Sequence, residues 1–129
     1  MTFINKTNLK KIFFFKFFLY VYISLYHFFY NLILLFFNKI VSNIPFHFVR
    51  LFFYRFVLKL GKSSSILMNV KIRSINKITI GNFSTVNSGV TLDGRGGSLD
   101  IGNCVDIAPN VDIITVTHDP NNNNHGTVN

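Results

Sequence analysis

The chain of 129 residues is long enough for one domain, or for a small domain with an appendage. Its formal net charge of +8 would suggest nucleic-acid binding if it were spread among polar residues. Instead, residues 1–62 contain nine of the thirteen Lys and Arg, fifteen of the sixteen Phe and no acidic residue. Positive charge beside phenylalanine indicates an anionic membrane surface. The single cysteine, Cys104, excludes an internal disulfide framework and is interpreted as a small buried thiol.

The first predicted element is a long apolar helix. The segment FFLYVYISLYHFFYNLILLFF, residues 17–37, contains 21 residues without a formal charge. As a helix, a segment of this length can cross a bilayer core of roughly 30 Å. Because tyrosine prefers the headgroup level, two interpretations remain open, namely an interfacial or re-entrant helix and a single span. Four lysines precede the segment and one follows it, which favours an N-terminus on the cytoplasmic side.

A second helix is predicted in NIPFHFVRLFFYRFVLKLG, residues 43–61. Pro45 suits the first turn of a helix, and Gly61 suits the position just after its end. Apolar and basic residues fall on different halves of the helical wheel, with Val49, Phe52, Phe53, Phe56, Val57 and Leu60 on one and His47, Arg50, Arg55 and Lys59 on the other. A basic amphipathic helix of about fifteen residues is typical of a membrane interface or of a cover over a folded core, and both can hold at once.

After Gly61 the chain repeats every six residues. Segments beginning at Ile80, Val86, Ile101 and Ile107 each start with an aliphatic residue and carry a small residue at the fifth position, which is Ser84, Val90, Val105 or Val111. Leu92 and Ile113 continue the first-position series. A strand alternates in twos and a helix recurs near 3.6, so a period of six needs another structure.

Six residues can form one short side and one corner, so that three such units close a triangular coil with first-position side chains inside. This predicts a mainly β fold, in which hydrophobic α-helices over residues 1–62 precede a parallel β-helix of about two to three coils over residues 63–129. Positive φ at the corners is assigned to Gly81, Asn82, Gly102 and Asn103. The segment LDGRGGSLD is predicted to loop outward, and no GK[ST] follows that would support a phosphate-binding loop.

These residues resemble the hexapeptide acyltransferases, the left-handed β-helix enzymes, over roughly residues 60 to 120. The segment IGNCVDIAPNVDIITVTHD, residues 101–119, preceded by LDGRGG, is similar to the O-acetyltransferases of capsule, lipopolysaccharide and exopolysaccharide assembly. The resemblance implies a homotrimer with a left-handed β-helix in each subunit. It implies acetyl-CoA as acyl donor, bound between neighbouring β-helices, and a carbohydrate as acceptor, with no metal.

His118 is the position that matches the family's general base, a histidine in a loop after an IxPNV coil. Transfer of an acetyl group from a thioester to a sugar hydroxyl requires removal of the hydroxyl proton, and imidazole titrates near neutral pH. Asp119 would either orient the imidazole or cap a turn, and His125 is interpreted as a solvated loop residue. No residue is assigned to acetyl-CoA binding.

Family members continue for several coils after this histidine. The resemblance therefore predicts that the chain is the N-terminal portion of a longer enzyme and is inactive alone. Two other functions stay open. A non-catalytic, membrane-anchored β-solenoid would serve in binding or assembly, and a metal enzyme of the carbonic-anhydrase type would need a third histidine beside His118 and His125. Nucleic acid is not predicted as a partner, because the positive charge lies among membrane-seeking residues.

Overall fold

The structure, a computed structural model, describes residues 6–118 and 127–128, with side chains over residues 11–116. Two helices come first, α1 (Lys6–Lys39) and α2 (His47–Val57), with a 3₁₀ turn at Val41–Asn43 between them. The chain forms two compact units, residues 1–33 and 34–129. The second unit therefore contains α2 and the end of α1 as well as the strands, whereas the composition of the sequence changes at residue 62.

The first unit is helical and exposes aromatic side chains. The exposed residues include Phe13, Phe14, Phe15, Phe17, Phe18, Tyr20, Tyr22, Tyr26, Phe28 and Phe29. The helical segment Lys11–Asn43 has a mean hydropathy of 1.6 in its most apolar window, and no residue of that window is buried. One N-terminal helix is thus long and apolar enough to cross a membrane.

Nine short strands of the second unit form three parallel sheets. The strands are β1 (Lys59–Leu60), β2 (Ser65–Ile66), β3 (Lys71–Arg73), β4 (Ile78–Ile80), β5 (Thr85–Val86), β6 (Thr91–Asp93), β7 (Leu99–Ile101), β8 (Asp106–Ile107) and β9 (Asp112–Ile114). The sheet orders are β1-β4-β7, β2-β5-β8 and β3-β6-β9. The chain visits the three sheets in turn and so makes three coils, an arrangement like that of a parallel β-helix. Two further strands, β10 (Thr117–His118) and β11 (Thr127–Val128), pair antiparallel.

The core includes the side chains at every sixth position, as predicted. It also contains buried residues at other positions, namely Phe37, Val41, Tyr54, Leu58, Val70, Ile75, Ile78 and Val90. Three register columns run through the coils, namely Leu60 with Ile80 and Ile101, Ile66 with Val86 and Ile107, and Ile72 with Leu92 and Ile113. Ile80 and Val86, in the middle coil, are 1% and 0% exposed, and Ile101 and Ile107 in the last coil are 8% and 7% exposed. Side chains at equivalent positions of successive coils stack on one another, and this stacking removes their apolar surface from water.

The corners differ from the prediction in one respect. Positive φ does not fall on the Gly and Asn residues to which it was assigned, but on the next residue of each turn, Phe83 (56°) and Cys104 (57°). Gly81 is needed for a different reason, because a Cβ there would lie 2.5 Å from the carbonyl oxygen of Gly102 in the following coil. The glycine thus permits close approach of two backbones rather than an unusual dihedral angle.

Residues before the first strand cover the free edge of the first coil through side-chain and main-chain groups. Asn38 Nδ2 donates to the carbonyl oxygen of Ile72 at 2.9 Å, and Asn38 Oδ1 accepts from the Ile72 N–H at 2.8 Å. Arg50 Nε donates to the Ile66 carbonyl oxygen at 3.0 Å, and the Asn69 N–H donates to the Ser42 carbonyl oxygen at 2.8 Å. These bonds replace a neighbouring strand, so the edges of β2 and β3 are not left open.

The orientation of α2 also corrects the sequence analysis. Arg50, assigned to the polar face, is buried together with Tyr54. Phe52 and Phe56, assigned to the apolar face, are 59% and 74% exposed, as is Phe48 at 74%. The helix turns this way because the guanidinium group can donate to carbonyl oxygens at the strand edge, which a phenyl ring cannot do.

Candidate functional site

The candidate general base, His118, lies where the chain leaves the coils. Strand β9 ends at Ile114, and four residues later His118 lies in β10, opposite Thr127 of β11. The main chain thus changes from a parallel coil to an antiparallel ribbon at the place where the six-residue count stops. Asp119 and His125, the other two residues considered for this site, lie outside the described residues.

Thr115 forms hydrogen bonds that attach the segment before His118 to the loop after β6. Its N–H donates to the carbonyl oxygen of Asp93 at 2.9 Å, and its hydroxyl donates to the same oxygen at 3.0 Å. The same hydroxyl oxygen accepts from the N–H groups of Gly96 and Gly97, both at 3.1 Å. Thr115, which lies just before β10, is therefore bonded to both ends of the loop that follows β6.

That loop, Asp93–Gly97, is closed by an ion pair. Arg95 Nε lies 3.0 Å from both carboxylate oxygens of Asp93, and its Nη2 lies 2.8 Å from Oδ2. Arg73 contributes a longer contact, with Nη1 at 4.0 Å from Oδ2. Burial tends to raise the pKa of the Asp93 carboxyl group, but the hydrogen bonds from Arg95 and the charges of both arginines outweigh it, so that the pKa lies below its ordinary value. The pKa of Arg95 is raised by the same hydrogen bonds and charge.

Gly96 allows the loop to lie close to the backbone of Thr115, just before β10. A Cβ at this position would overlap the carbonyl oxygen of Thr115, so only glycine permits the approach. The sequence predicts this segment to loop outward as a turn, but its connection to Thr115 was missed. In the sequence the adjacent Gly96 and Gly97 mark a turn or loop, and they do not identify Thr115 as its partner.

The exposed charged side chains in and beside this loop are basic. Arg73 and Arg95 have side chains 54% and 53% exposed, and Lys77 Nζ donates to the Arg95 carbonyl oxygen at 3.4 Å. Within residues 6–118 and 127–128, no three His, Cys, Asp or Glu side chains come together in a way that could hold a metal ion.

Cys104 corrects another prediction, because it is exposed rather than buried. It occupies the positive-φ position of a corner, where Ser63 and Phe83 stand in the two preceding coils.

No protein-family model, curated protein or solved structure matches this chain.

Proposed function

We propose that this chain supplies the repeat coils and the general base of an acetyl-CoA-dependent O-acetyltransferase that acts on a sugar hydroxyl in surface-polysaccharide assembly. The observation that carries the proposal is the strand register. First-position residues pair in steps of 20 and 21 residues through three parallel sheets, and the winding stops just before His118. A regular coil that ends at a histidine agrees with the sequence resemblance, which rests on the same residues.

The finer form of the proposal is a left-handed β-helix that assembles as a homotrimer. Both features are taken from the resemblance to the hexapeptide acyltransferases. In such a trimer acetyl-CoA lies between neighbouring subunits, and the outer faces of the sheets form the walls of the site. An experimentally determined structure of the assembled protein decides both the hand and the subunit number.

His118 acts as general base in this proposal. Its imidazole takes the proton of the sugar hydroxyl while the oxygen attacks the thioester carbonyl carbon, and the carbon–sulfur bond then breaks. The proton passes to the departing thiolate, so that free coenzyme A and an acetyl ester result. Thr115 is a positioning residue, since it fixes the start of the ribbon to the loop Asp93–Gly97.

A membrane surface is the proposed location, with the strands on the cytoplasmic side. Because the N-terminus is expected on that side too, this placement requires α1 to lie in the interface or to re-enter from it rather than to cross the bilayer once. The support comes from two separate features, the apolar length of α1 and the exposed phenylalanines of α2. Phe48, Phe52 and Phe56 recur at intervals of four, so they form one exposed aromatic stripe on that helix. Exposed aromatic stripes next to basic residues are typical of helices that lie at a lipid interface.

The test is replacement of His118 by alanine. Acetyl-CoA turnover is measured as release of free thiol, with the protein expressed from its complete native reading frame and supplied with polysaccharide acceptor. Loss of a general base lowers turnover by about 100-fold or more. His27→Ala, which removes an exposed histidine from α1, is the matched control and should keep full turnover.

Unchanged turnover in a folded His118→Ala protein would contradict the proposed role of this residue. Complete absence of turnover in the wild-type protein, with intact membrane attachment, would instead favour the alternative of a non-catalytic, membrane-anchored assembly module. Circular dichroism of each variant separates loss of chemistry from loss of folding.

A further inference from the structure

The three outer faces of the coils carry a similar order of side chains along the coil axis. On each face, one outward position of the first coil is in register with a threonine of the second coil and an aspartate of the third. The three columns are Lys59 with Thr79 and Asp100, Ser65 with Thr85 and Asp106, and Lys71 with Thr91 and Asp112. The acidic end of every column therefore lies on the third coil.

The first and third coils differ in the sign of their charge. Residues 59–73 of the first coil contain no acidic residue and four exposed basic residues, namely Lys59, Lys62, Lys71 and Arg73. Residues 99–114 of the third coil contain three exposed aspartates and no Lys or Arg. Neighbouring strands lie about 4.8 Å apart, so roughly 10 Å separates these two coils. This is about one Debye length at physiological ionic strength, so an anionic surface against the first coil attracts its cations while repulsion from the aspartates is largely screened.

Helix α2 packs on the first coil and directs its aromatic stripe away from it. Arg50 and Tyr54 are buried, and Arg50 Nε donates to the Ile66 carbonyl oxygen of β2. Two positions along an α-helix correspond to about 200° of rotation, so Phe52, which is two residues from each of them, lies on the opposite side of α2. The rings of Phe52 and Phe56 meet edge to face with their centroids 4.8 Å apart, so they form one continuous apolar surface.

We propose that the second unit stands on an anionic lipid surface, with α2 in the interface and the third coil farthest from the membrane. The proposal rests on the membrane location given above, and it adds the orientation of the coils and the charge of the lipid. The aromatic stripe enters the boundary between headgroups and acyl chains, as the apolar faces of interfacial helices do. Arg55, three residues after Phe52 and thus beside the stripe, then lies with Lys59 and Lys62 at the level of the lipid phosphates.

Other orientations, and another occupant of the stripe, fit the charges less well. Each face carries an aspartate, so coils lying on any side would bring a carboxylate against anionic headgroups. A second copy of the chain packed on the stripe would bring two basic surfaces together, because no acidic residue precedes Asp93 in the sequence. Like charges that face each other across an interface are costly. An anionic lipid surface is complementary to the same basic residues.

Tryptophan fluorescence tests this orientation, because the chain contains no tryptophan of its own. Full-length protein with one reporter at a time is placed in phosphatidylcholine vesicles with or without phosphatidylglycerol, and lipids brominated on their acyl chains quench a reporter that enters the bilayer. Phe52→Trp reports on the stripe. Cys104→Trp and Ile114→Trp report on a corner and a face of the third coil, where both native side chains are exposed. Phe83 occupies the equivalent corner of the second coil, so an aromatic residue is compatible with that backbone.

The Phe52→Trp reporter should be quenched in vesicles that contain phosphatidylglycerol and less in phosphatidylcholine alone, whereas both third-coil reporters should stay unquenched in either. Adding Lys59→Gln and Lys62→Gln to the Phe52→Trp protein should shift the equilibrium toward the unquenched form by about 25-fold, or about fivefold for each lysine near an anionic surface. Lys77→Gln is the matched control, because the ammonium group of Lys77 donates to the Arg95 carbonyl oxygen at 3.4 Å and is thus directed toward the loop after β6. This variant should leave the quenching nearly unchanged.

The proposal is overturned if the Phe52→Trp reporter stays unquenched in anionic vesicles, if lipid charge makes no difference to it, or if either third-coil reporter is quenched equally. An unquenched reporter with blue-shifted emission shows that protein rather than lipid covers the stripe, which also overturns the proposal. Phe56→Trp, on the same stripe, replaces the reporter if circular dichroism shows Phe52→Trp to be unfolded. Flotation with the vesicles is measured in the same samples. Protein that does not float contradicts the membrane location itself, whereas protein that floats with an unquenched reporter contradicts only the orientation, and acetyl transfer by His118 is measured separately from both.

Discussion

The two glycines at equivalent corners, Gly81 and Gly102, should respond in opposite ways to replacement by alanine. Both occur in the same triplet, Ile-Gly-Asn, and neither has positive φ. At Gly81 an added Cβ would stand 2.5 Å from the oxygen and 2.6 Å from the carbon of the Gly102 carbonyl group. At Gly102 the nearest atom to an added Cβ is a methyl carbon of Val105 at 3.8 Å, an ordinary van der Waals contact.

The cost at Gly81 follows from the distance that the two coils must separate. Carbon and oxygen atoms pack at about 3.5 Å, so the second and third coils must part by roughly 1 Å at this corner. The Gly81 N–H donates to the Ile101 carbonyl oxygen at 2.8 Å, and Ser84 Oγ donates to the Gly102 carbonyl oxygen at 2.7 Å. Both bonds would exceed normal length. Overpacking and two weakened hydrogen bonds together cost about 2–4 kcal/mol.

Gly102→Ala should instead stabilise the protein slightly, by about 0.4–1 kcal/mol, because alanine restricts the unfolded chain. Urea unfolding of the two variants, followed by far-UV circular dichroism in an uncharged detergent, measures the difference. We expect the free energies of unfolding to differ by about 2.5–5 kcal/mol, with Gly81→Ala the less stable. Equal destabilisation by both variants would refute the stacking order of the coils, and a neutral Gly81→Ala would refute the close approach.

Three further outcomes follow from other parts of the structure. The pKa of Asp93 is lower in the folded protein than in the unfolded chain, where it is near 4. The ionised Asp93 carboxylate therefore stabilises the folded state above that unfolded pKa, and this stabilisation is lost as the pH falls through the pKa of the folded state. Acid titration of stability should show this loss, reduced by solvent screening because Arg95 is half exposed, and Asp93→Asn should abolish it. Thr115→Val should cost about 1–2 kcal/mol through the unpaired N–H groups of Gly96 and Gly97, whereas Thr115→Ser, which keeps the hydroxyl, should unfold at nearly the wild-type urea concentration. Finally, the chain should stay in the membrane fraction after washing with about 1 M salt, because screening removes charge attraction but not burial of the apolar α1, and release into the supernatant would contradict a hydrophobic attachment.

Much of the strand region could be predicted, because the period of six is a local property. An aliphatic residue at each sixth place shows which side chains turn inward, and Ile80, Val86, Ile101 and Ile107 are all buried. The corner dihedrals could not be predicted in the same way. Glycine and asparagine tolerate positive φ, but the structure places it on Phe83 and Cys104, since the left-handed position is the second residue of each turn.

The candidate site was predictable only in its position along the chain. The end of the repeat points to His118, yet nothing in the sequence shows that Thr115 is bonded to a loop some twenty residues earlier. The buried role of Arg50 is a second example. A helical wheel separates apolar from basic residues, whereas the structure buries this arginine because the strand edge needs a donor.

The sequence by itself determined the six-residue period, the inward side chains and the apolar length of the first helix, since each depends on residues close together in the chain. Only the tertiary structure decided which surfaces are covered. Gly81 and Gly102 have identical neighbours in sequence, yet one lies under the next coil and the other does not, because contact between coils depends on what is stacked against each residue.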